Sequence, residues 1–174
     1  DAIILKKRIS KPINLEMAPT CDMTNFAIKL KPKYVCIVPE KRKEITTEGG
    51  LNLKQKNLQS IIKKLKKNKI EVSLFVNPKV KDVISANKMG VDAVELHTGS
   101  FANAVKSQQL QKINFELKKI INCKLACDKT KMKFNLGHGL NYKCISYLKN
   151  IKNINEFNIG HFIIGESIFD SFSK

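Results

Sequence analysis

Short apolar segments alternate with helix-like segments along the whole chain. The apolar segments predict strands near 13–18, 34–39, 71–76, 92–97, 133–137 and 156–160. The segments between them predict helices near 21–31, 53–68, 79–89, 101–122, 143–150 and 162–172. Such alternation is typical of a parallel sheet, because two parallel strands need a crossover that is usually a helix. The chain therefore predicts an α/β fold of six βα units.

Polar side chains stand where the predicted strands end. His97 closes the segment AVELH, His138 follows FNLG and His161 follows FNIG. Glu16 and Asn77 lie at the ends of two further strands. In a TIM (β/α)8 barrel all the parallel strands end on one face, and that face carries the active site. The pattern therefore predicts an enzyme.

The length fits one domain with a sizeable core. At 174 residues the chain is nevertheless short for a closed barrel of roughly 250 residues. It begins at Asp1 and runs directly into the helix-like segment AIILKKRI. We therefore expect residues 1–174 to form a single barrel domain that is incomplete at its N-terminus.

The net charge of +17 raises nucleic acid as a partner, but the kind of charge argues against it. Arg8 and Arg42 are the only arginines among 32 basic residues, so the guanidinium fork that reads guanine and clamps phosphate is nearly absent. The densest lysine group, within 63–69, follows apolar residues spaced as on a helix face. We expect this group to lie on a solvated surface and predict no nucleic-acid partner.

The five cysteines form no CxxC pair, which favours reduced thiols and no metal site. The sequence has no run of about 18 apolar residues. It also lacks the pattern of a signal peptide. We therefore expect a cytoplasmic protein with no membrane association.

Five motifs, taken together, resemble pyridoxine 5′-phosphate synthase. They are NLEMA (14–18), VPEKRKEITTEGGL (38–51), ELHTG (95–99), GHGLNY (137–142) and NIGHFIIGES (158–167). They cover nearly the whole chain in order, and the segment PEKRKEITTEGGL is far more specific than a lone glycine-rich loop.

The resemblance implies a (β/α)8 barrel that forms a homo-oligomer, an octamer in this family, and needs no cofactor. The implied transferase reaction condenses 3-amino-2-oxopropyl phosphate with 1-deoxy-D-xylulose 5-phosphate to give pyridoxine 5′-phosphate, inorganic phosphate and water. Family members carry two further βα units upstream. The six strands of this chain would therefore be the third to eighth of the barrel.

The same resemblance implies the catalytic roles. Glu16 matches the family's proton acceptor, Glu95 its transition-state stabiliser and His138 its proton donor. A carboxylate at an apolar barrel mouth is expected to be partly desolvated, and an imidazole exchanges protons near neutral pH. We therefore expect Glu16, Glu95 and His138 to be catalytic.

Substrate binding is expected at two places. Thr46 matches a substrate-contacting threonine of the family, and it lies in a long loop, Pro39 to Asn52, that we interpret as a lid. Gly139, Gly160 and His161 follow the last two strands, where barrel enzymes often bind phosphate.

Three further residues are candidates without a settled role. His97 lies on the same side of its strand as Glu95, and it either orients that carboxylate or is a hydrogen-bonded interior histidine. Asn14 shares a strand face with Glu16, and Arg42 is a plausible lid partner for substrate.

Two other functions stay open. Another phosphate-binding barrel, a lyase or isomerase of sugar phosphates, would show the same glycines. An aldolase that forms a Schiff base needs an interior lysine, and Lys133 lies at the wrong end of its strand. A non-enzymatic anion-binding protein would not need the acids, amides and imidazoles found at the strand ends.

Overall fold

The structure, a computed structural model, describes residues 1–39 and 49–170. Its strands are β1 (Asn14–Met17), β2 (Tyr34–Ile37), β3 (Glu71–Val76), β4 (Ala93–His97), β5 (Lys133–Gly137) and β6 (Glu156–Asn158). Its helices are α1 (Ala2–Arg8), α2 (Cys21–Leu30), α3 (Leu58–Lys67), α4 (Val80–Lys88), α5 (Gly99–Lys106), α6 (Leu110–Cys127), α7 (Tyr142–Leu148) and α8 (His161–Asp170). The predicted alternation of strands and helices is confirmed.

The six strands form one parallel sheet in sequence order, β1-β2-β3-β4-β5-β6. Each crossover between neighbours contains at least one helix, as parallel pairing requires. The sheet curls into an open half-barrel, and within the described residues β1 and β6 are its two edges. The predicted α/β fold is confirmed, and the curled sheet is consistent with a TIM-like barrel.

One face of the sheet forms the hydrophobic core together with the helices. Helix α3 shows how the sequence specifies this packing, because its apolar residues recur every three to four positions and cover one face. Those residues, Leu58, Ile61, Ile62 and Leu65, are buried in the same cluster as Val35, Leu74, Val94 and Leu136 of the strands. The lysines of 63–69 are exposed, so the predicted solvated surface is confirmed.

The other face of the sheet is polar and lines the inside of the half-barrel. Successive side chains of a strand point to opposite faces, so residues two apart share a face. The register places Glu16 beside Cys36, and Glu95 between Phe75 and Asn135. Carboxylate, thiol and amide groups from four strands thus meet inside the curl.

The helix predicted near 101–122 is wrong, since this segment forms two helices. Helix α5 ends at Lys106 and α6 begins at Leu110. Gln108 between them has a left-handed backbone with φ 54°, which interrupts the helical hydrogen bonds. The break allows α6 to pack against both α4 and α5. No glycine or proline lies at this turn, and the spacing of apolar residues continues across it. The sequence therefore carries no signal for the break.

Candidate active site

An open cavity of about 720 Å³ lies at the carboxyl ends of the strands. Seven predicted site residues line it: Asn14, Glu16, Glu95, His138, Gly139, Gly160 and His161. They come from β1, β4, the loop after β5 and the β6–α8 junction, and curling of the sheet brings them together. A common cavity is the condition for these side chains to act on one substrate.

Thr46 and Arg42 lie outside the described residues, and of the predicted lid loop, 39–52, the structure describes 39 and 49–52. Where the described chain resumes, the Gly50 N–H donates to Asn77 Oδ1 at 2.9 Å and the Leu51 N–H donates to the Phe75 carbonyl at 2.7 Å. A Cβ atom on Gly50 would lie 2.3 Å from the Asn77 nitrogen, so only glycine fits this approach. The last residues of the predicted lid loop are therefore hydrogen-bonded to the end of β3.

Glu95 is the buried acid of the site, with only 4% of the residue exposed. Desolvation raises the pKa of its carboxyl group to about 7, and the nearby Glu16 carboxylate adds to the rise. Asn158 Nδ2 donates a 2.5 Å hydrogen bond to Glu95 Oε2 and opposes that rise. Glu95 therefore exchanges a proton near neutral pH.

A glycine makes room for the Glu95 carboxylate. Gly137 lies opposite His97 in the register of β4 and β5, and a Cβ atom on it would fall 1.9 Å from Glu95 Oε1. The Cys36 thiol donates a weak 3.7 Å hydrogen bond to Glu95 Oε2. Burial raises the pKa of this thiol well above its usual value, and the Glu95 charge adds to the effect. Cys36 therefore supports the acid as a neutral thiol.

Glu16 faces the same cavity but is exposed, which differs from the desolvation expected for it. The reason is its position on β1, an edge strand within the described part of the sheet. Glu95 lies on β4, which has paired strands on both sides. The two glutamates therefore offer the cavity one solvated and one buried carboxyl group.

His138 follows β5 in a turn whose backbone is left-handed, with φ 76° at His138 and φ 75° at Gly139. Its imidazole lines the cavity and is half-buried. Desolvation lowers the pKa of His138, the Glu16 carboxylate raises it, and His161 lowers it. The neutral imidazole is thus favoured, and the protonated form is a stronger acid than in water.

His97 packs face to face against His138, with 4.7 Å between the ring centroids and 26° between the planes. Phe75 places its edge against His97 at 5.3 Å. His97 does not line the cavity described above; it lines a neighbouring one of about 720 Å³. That neighbouring cavity shares His138, Gly139 and His161 with the first. The structure therefore places His97 beside the predicted proton donor.

Sequence reasoning missed three residues that hydrogen-bond to the predicted ones. Cys36 and Asn158 both bond to Glu95, and the Thr98 hydroxyl bonds to the turn that carries His138. Asn158 had a usable signal, because it is a strand-end amide two residues after Glu156 on the same face. Cys36 and Thr98 had none, since their partners come from other strands.

The described residues contain neither a metal cluster nor a membrane span. Within 1–39 and 49–170 no group of three His, Cys, Asp or Glu side chains is placed to hold a metal ion. In the same ranges no helix is both long and apolar enough to cross a membrane.

The sequence matches known proteins over its whole length. The family model of the pyridoxal phosphate biosynthesis protein PdxJ matches residues 1–174. A pyridoxine 5′-phosphate synthase of Pelagibacter ubique is 45% identical over 163 residues, which cover 92% of this chain and 67% of that protein. The enzyme of the same name from Ehrlichia chaffeensis is 42% identical over 170 residues, covering 97% of this chain and 68% of that protein. The chain thus spans about two thirds of the length of these relatives.

A solved structure shares the fold at low sequence identity. The tryptophan synthase A-subunit of Pyrococcus furiosus superposes with a TM-score of 0.60 at 16% identity. The match covers 95% of this chain and 64% of that one. At this identity the likeness concerns the fold alone.

Proposed function

Because the chain belongs to the family of the pyridoxal phosphate biosynthesis protein PdxJ, we infer that it acts as a pyridoxine 5′-phosphate synthase. The substrates are 3-amino-2-oxopropyl phosphate and 1-deoxy-D-xylulose 5-phosphate, and the products are pyridoxine 5′-phosphate, inorganic phosphate and water. The observation that carries the proposal is the convergence of Glu16, Glu95 and His138 on one cavity. Its volume of about 720 Å³ suits small phosphorylated ligands.

Glu16 and His138 form the proposed acid–base pair. Joining an amine to a ketone expels water, and ring closure then requires protons to leave carbon and to reach departing oxygen atoms. Glu16 is accessible to substrate and accepts the proton, while His138 donates one to the leaving group. The lowered pKa of His138 makes its protonated form the better donor.

Glu95 stabilises positive charge in this proposal. Iminium and carbocation-like species form during the condensation, and a nearby carboxylate lowers their free energy. Since the pKa of Glu95 is about 7, roughly half of these groups are ionised at neutral pH. The reaction rate should therefore change with pH as Glu95 ionises.

A substrate phosphate is proposed to bind against Gly139, Gly160 and His161. All three line the cavity, and α8 begins at His161. Its first turn carries no acidic residue, so its N–H groups and its dipole favour an anion. Thr46 and Arg42, with the lid that contains them, remain proposed contacts for the second substrate.

The larger assembly is also part of the proposal. The open edges β1 and β6 fit a barrel in which these six strands are the third to eighth and residues 1–174 belong to one domain. An octamer and a cytoplasmic location follow from the family resemblance.

A sugar-phosphate lyase or isomerase is the second candidate, and the structure gives an argument against its Schiff-base form. Lys133 forms a 2.8 Å ion pair with Glu71 at the start of β3, at the opposite end of the sheet from the cavity. The described lining of the first cavity contains no lysine. An aldolase using a lysine imine is therefore disfavoured here.

The test measures turnover of the two phosphate substrates by the purified enzyme. Glu16→Gln and His138→Asn should each lower kcat roughly 100-fold or more, as loss of a general base or acid does. Glu166→Gln, on an exposed residue of α8 outside both cavities, serves as the control and should keep the wild-type rate. Wild-type turnover in either site variant would refute the role given to that residue.

A further inference from the structure

The turn that carries His138 has a costly backbone. His138 and Gly139 are consecutive left-handed residues, with φ 76° and 75°. Glycine adopts this conformation freely, whereas a residue with a Cβ atom is strained in it. Such strain persists only where surrounding contacts fix it, and it is concentrated at functional sites.

Thr98 supplies those contacts. Its side-chain oxygen Oγ1 lies 2.7 Å from the Gly137 carbonyl oxygen and 2.8 Å from the His138 carbonyl oxygen, so its single proton is shared between these two acceptors. Its backbone N–H donates to the same Gly137 carbonyl at 2.9 Å. Thr98 is only 1% exposed, so these bonds form away from water, where an unmade bond is expensive.

The Thr98 hydroxyl bonds to this turn and does not cap the helix that Thr98 precedes. Thr98 is the N-cap of α5, and a threonine there usually accepts a hydrogen bond from the helix backbone. Here its side chain makes no cap bond. The hydroxyl instead bonds to the carbonyls of Gly137 and His138, at the end of the neighbouring strand β5.

The residues flanking Thr98 fix the ring that this turn carries. His97 stacks on the His138 imidazole, and Phe75 approaches it at 6.4 Å. A Cβ atom on Gly99 would lie 3.0 Å from His138 Cδ2 and 2.8 Å from His97 Cε1. The segment His97-Thr98-Gly99 therefore shapes the place where the imidazole lies.

We propose that Thr98 is a positioning residue, whose hydroxyl holds the His138 turn so that the imidazole points into the cavity at the angle proton donation requires. The inference rests on the proton-donor role proposed above for His138. Thr98 lines neither cavity, so any effect on catalysis must pass through the turn that it holds. A small displacement of an acid from its reacting atom is enough to slow catalysis strongly.

The experiment compares Thr98→Val, which keeps the branched shape but removes the hydroxyl, with Thr98→Ser, which keeps the hydroxyl. The readouts are kcat, the KM of both phosphate substrates, the pH profile of kcat and the thermal midpoint. Charged or titratable groups facing His138 are Glu16 on β1, His97 on β4 and His161 on α8, and all three are left unchanged. Thr130→Val is the matched control, because the Thr130 hydroxyl also bonds a carbonyl, that of Cys127 at 2.7 Å, but lies outside both cavities.

The valine variant should lose about 10-fold or more in kcat, because its imidazole is misplaced. Its KM values should stay within about 3-fold, since binding groups are intact. The limb of the pH profile that belongs to His138 should move. The serine variant should retain kcat within about 3-fold and keep the wild-type profile. Thr130→Val should lower only the thermal midpoint.

Wild-type kcat and pH profile in Thr98→Val would overturn the inference, and so would an equal loss in Thr98→Ser. If the valine variant does not fold, Thr98→Ala replaces it, because alanine also removes the hydroxyl and is smaller; a wild-type rate there would again overturn the inference. His138→Asn separates the two proposals. An inactive His138→Asn beside a normal Thr98→Val refutes the positioning role alone, whereas a fully active His138→Asn refutes the donor role and this inference with it.

Discussion

Burial distinguishes two glutamates, Glu16 and Glu95, that occupy similar positions on their strands. Glu16 and Glu95 both lie on strand faces that point into the half-barrel, and both precede the end of a strand. Their environments differ because β1 is an edge of the described sheet and β4 lies inside it. Only Glu95 loses its contact with water, and the free energy of that desolvation appears as its raised pKa.

The raised pKa predicts that the Glu95 charge destabilises the fold. The folded protein holds this proton up to about pH 7, whereas the reference value is 4.5, so stability falls as pH rises between those values. The wild type should therefore lose roughly 2–3 kcal/mol of its free energy of unfolding between about pH 4.5 and about pH 8 because of Glu95, and Glu95→Gln should not. The stability of the variant relative to the wild type should thus be greater at the higher pH by this amount. Urea unfolding followed by circular dichroism at the two pH values measures this difference.

Glu166→Gln is the control for this measurement. Its side chain is exposed on α8, so its effect on stability should be the same at both pH values. An equal effect of Glu95→Gln at the two pH values would show that the carboxyl group is not desolvated as described.

At this scale the sequence predicts positions better than contacts. Alternation along a strand assigns Glu16 and Glu95 to the inner face, and a glycine on each side of His138 marks a turn. The bond between Asn158 and Glu95 joins residues 63 positions apart, and it exists only because β4, β5 and β6 pair in one register. Sequence periodicity carries no information about such distances.

Among the helices, turns made by glycine were predictable and the turn made by Gln108 was not. Gly90 follows α4 with φ 74°, as expected for a residue after a helix end. Gln108 has φ 54°, a conformation that glutamine adopts at a cost. Two backbone hydrogen bonds stabilise the turn and offset this cost. The Gln108 N–H donates to the Val105 carbonyl, and the Gln109 N–H donates to the Ala104 carbonyl.

Gln108→Gly should therefore stabilise the protein. Removing the Cβ atom relieves left-handed strain, and after subtracting the greater entropy of glycine in the unfolded chain we expect a gain of about 0.5 kcal/mol. Gln109→Gly is the matched control, because Gln109 has φ −84° and gains nothing from glycine. Gln109→Gly should not stabilise the protein, because the greater entropy of glycine in the unfolded chain is offset by no relief of strain. Destabilisation by both variants, in urea titrations, would contradict the account of this turn.

As a whole, the described molecule is a half-barrel whose sheet has two open edges. Strands β1 and β6 each have one unpaired side within the described residues. Inside the curl, Asn135 donates to Glu156 at 3.1 Å, but its buried Oδ1 has no partner among the described residues. Buried polar atoms in native proteins are almost always paired. The six-unit pattern was predictable from periodicity, whereas the unpaired Asn135 Oδ1 was not, because this atom is buried only once the strands pair and the sheet curls.

Helix α8 carries exposed apolar side chains at its end. This helix follows the edge strand β6, and Ile168 and Phe169 near its end are 76% and 87% exposed. Exposed apolar patches and unpaired strand edges both promote association. The isolated 174-residue chain should therefore associate at micromolar concentration, as measured by sedimentation velocity.

Replacing Ile168 and Phe169 together with lysine should shift the isolated chain towards monomer, because charge at an apolar contact disfavours burial of that surface. Leu110→Lys, a change on an exposed residue at the start of α6, is the control for added charge and should leave the distribution unchanged. If the double lysine variant reduces association and Leu110→Lys does not, the chain associates through the apolar surface beside β6. A wild-type chain that sediments as a monomer, or an equal effect of Leu110→Lys, would contradict this assignment, because association would then not depend on the apolar surface beside β6.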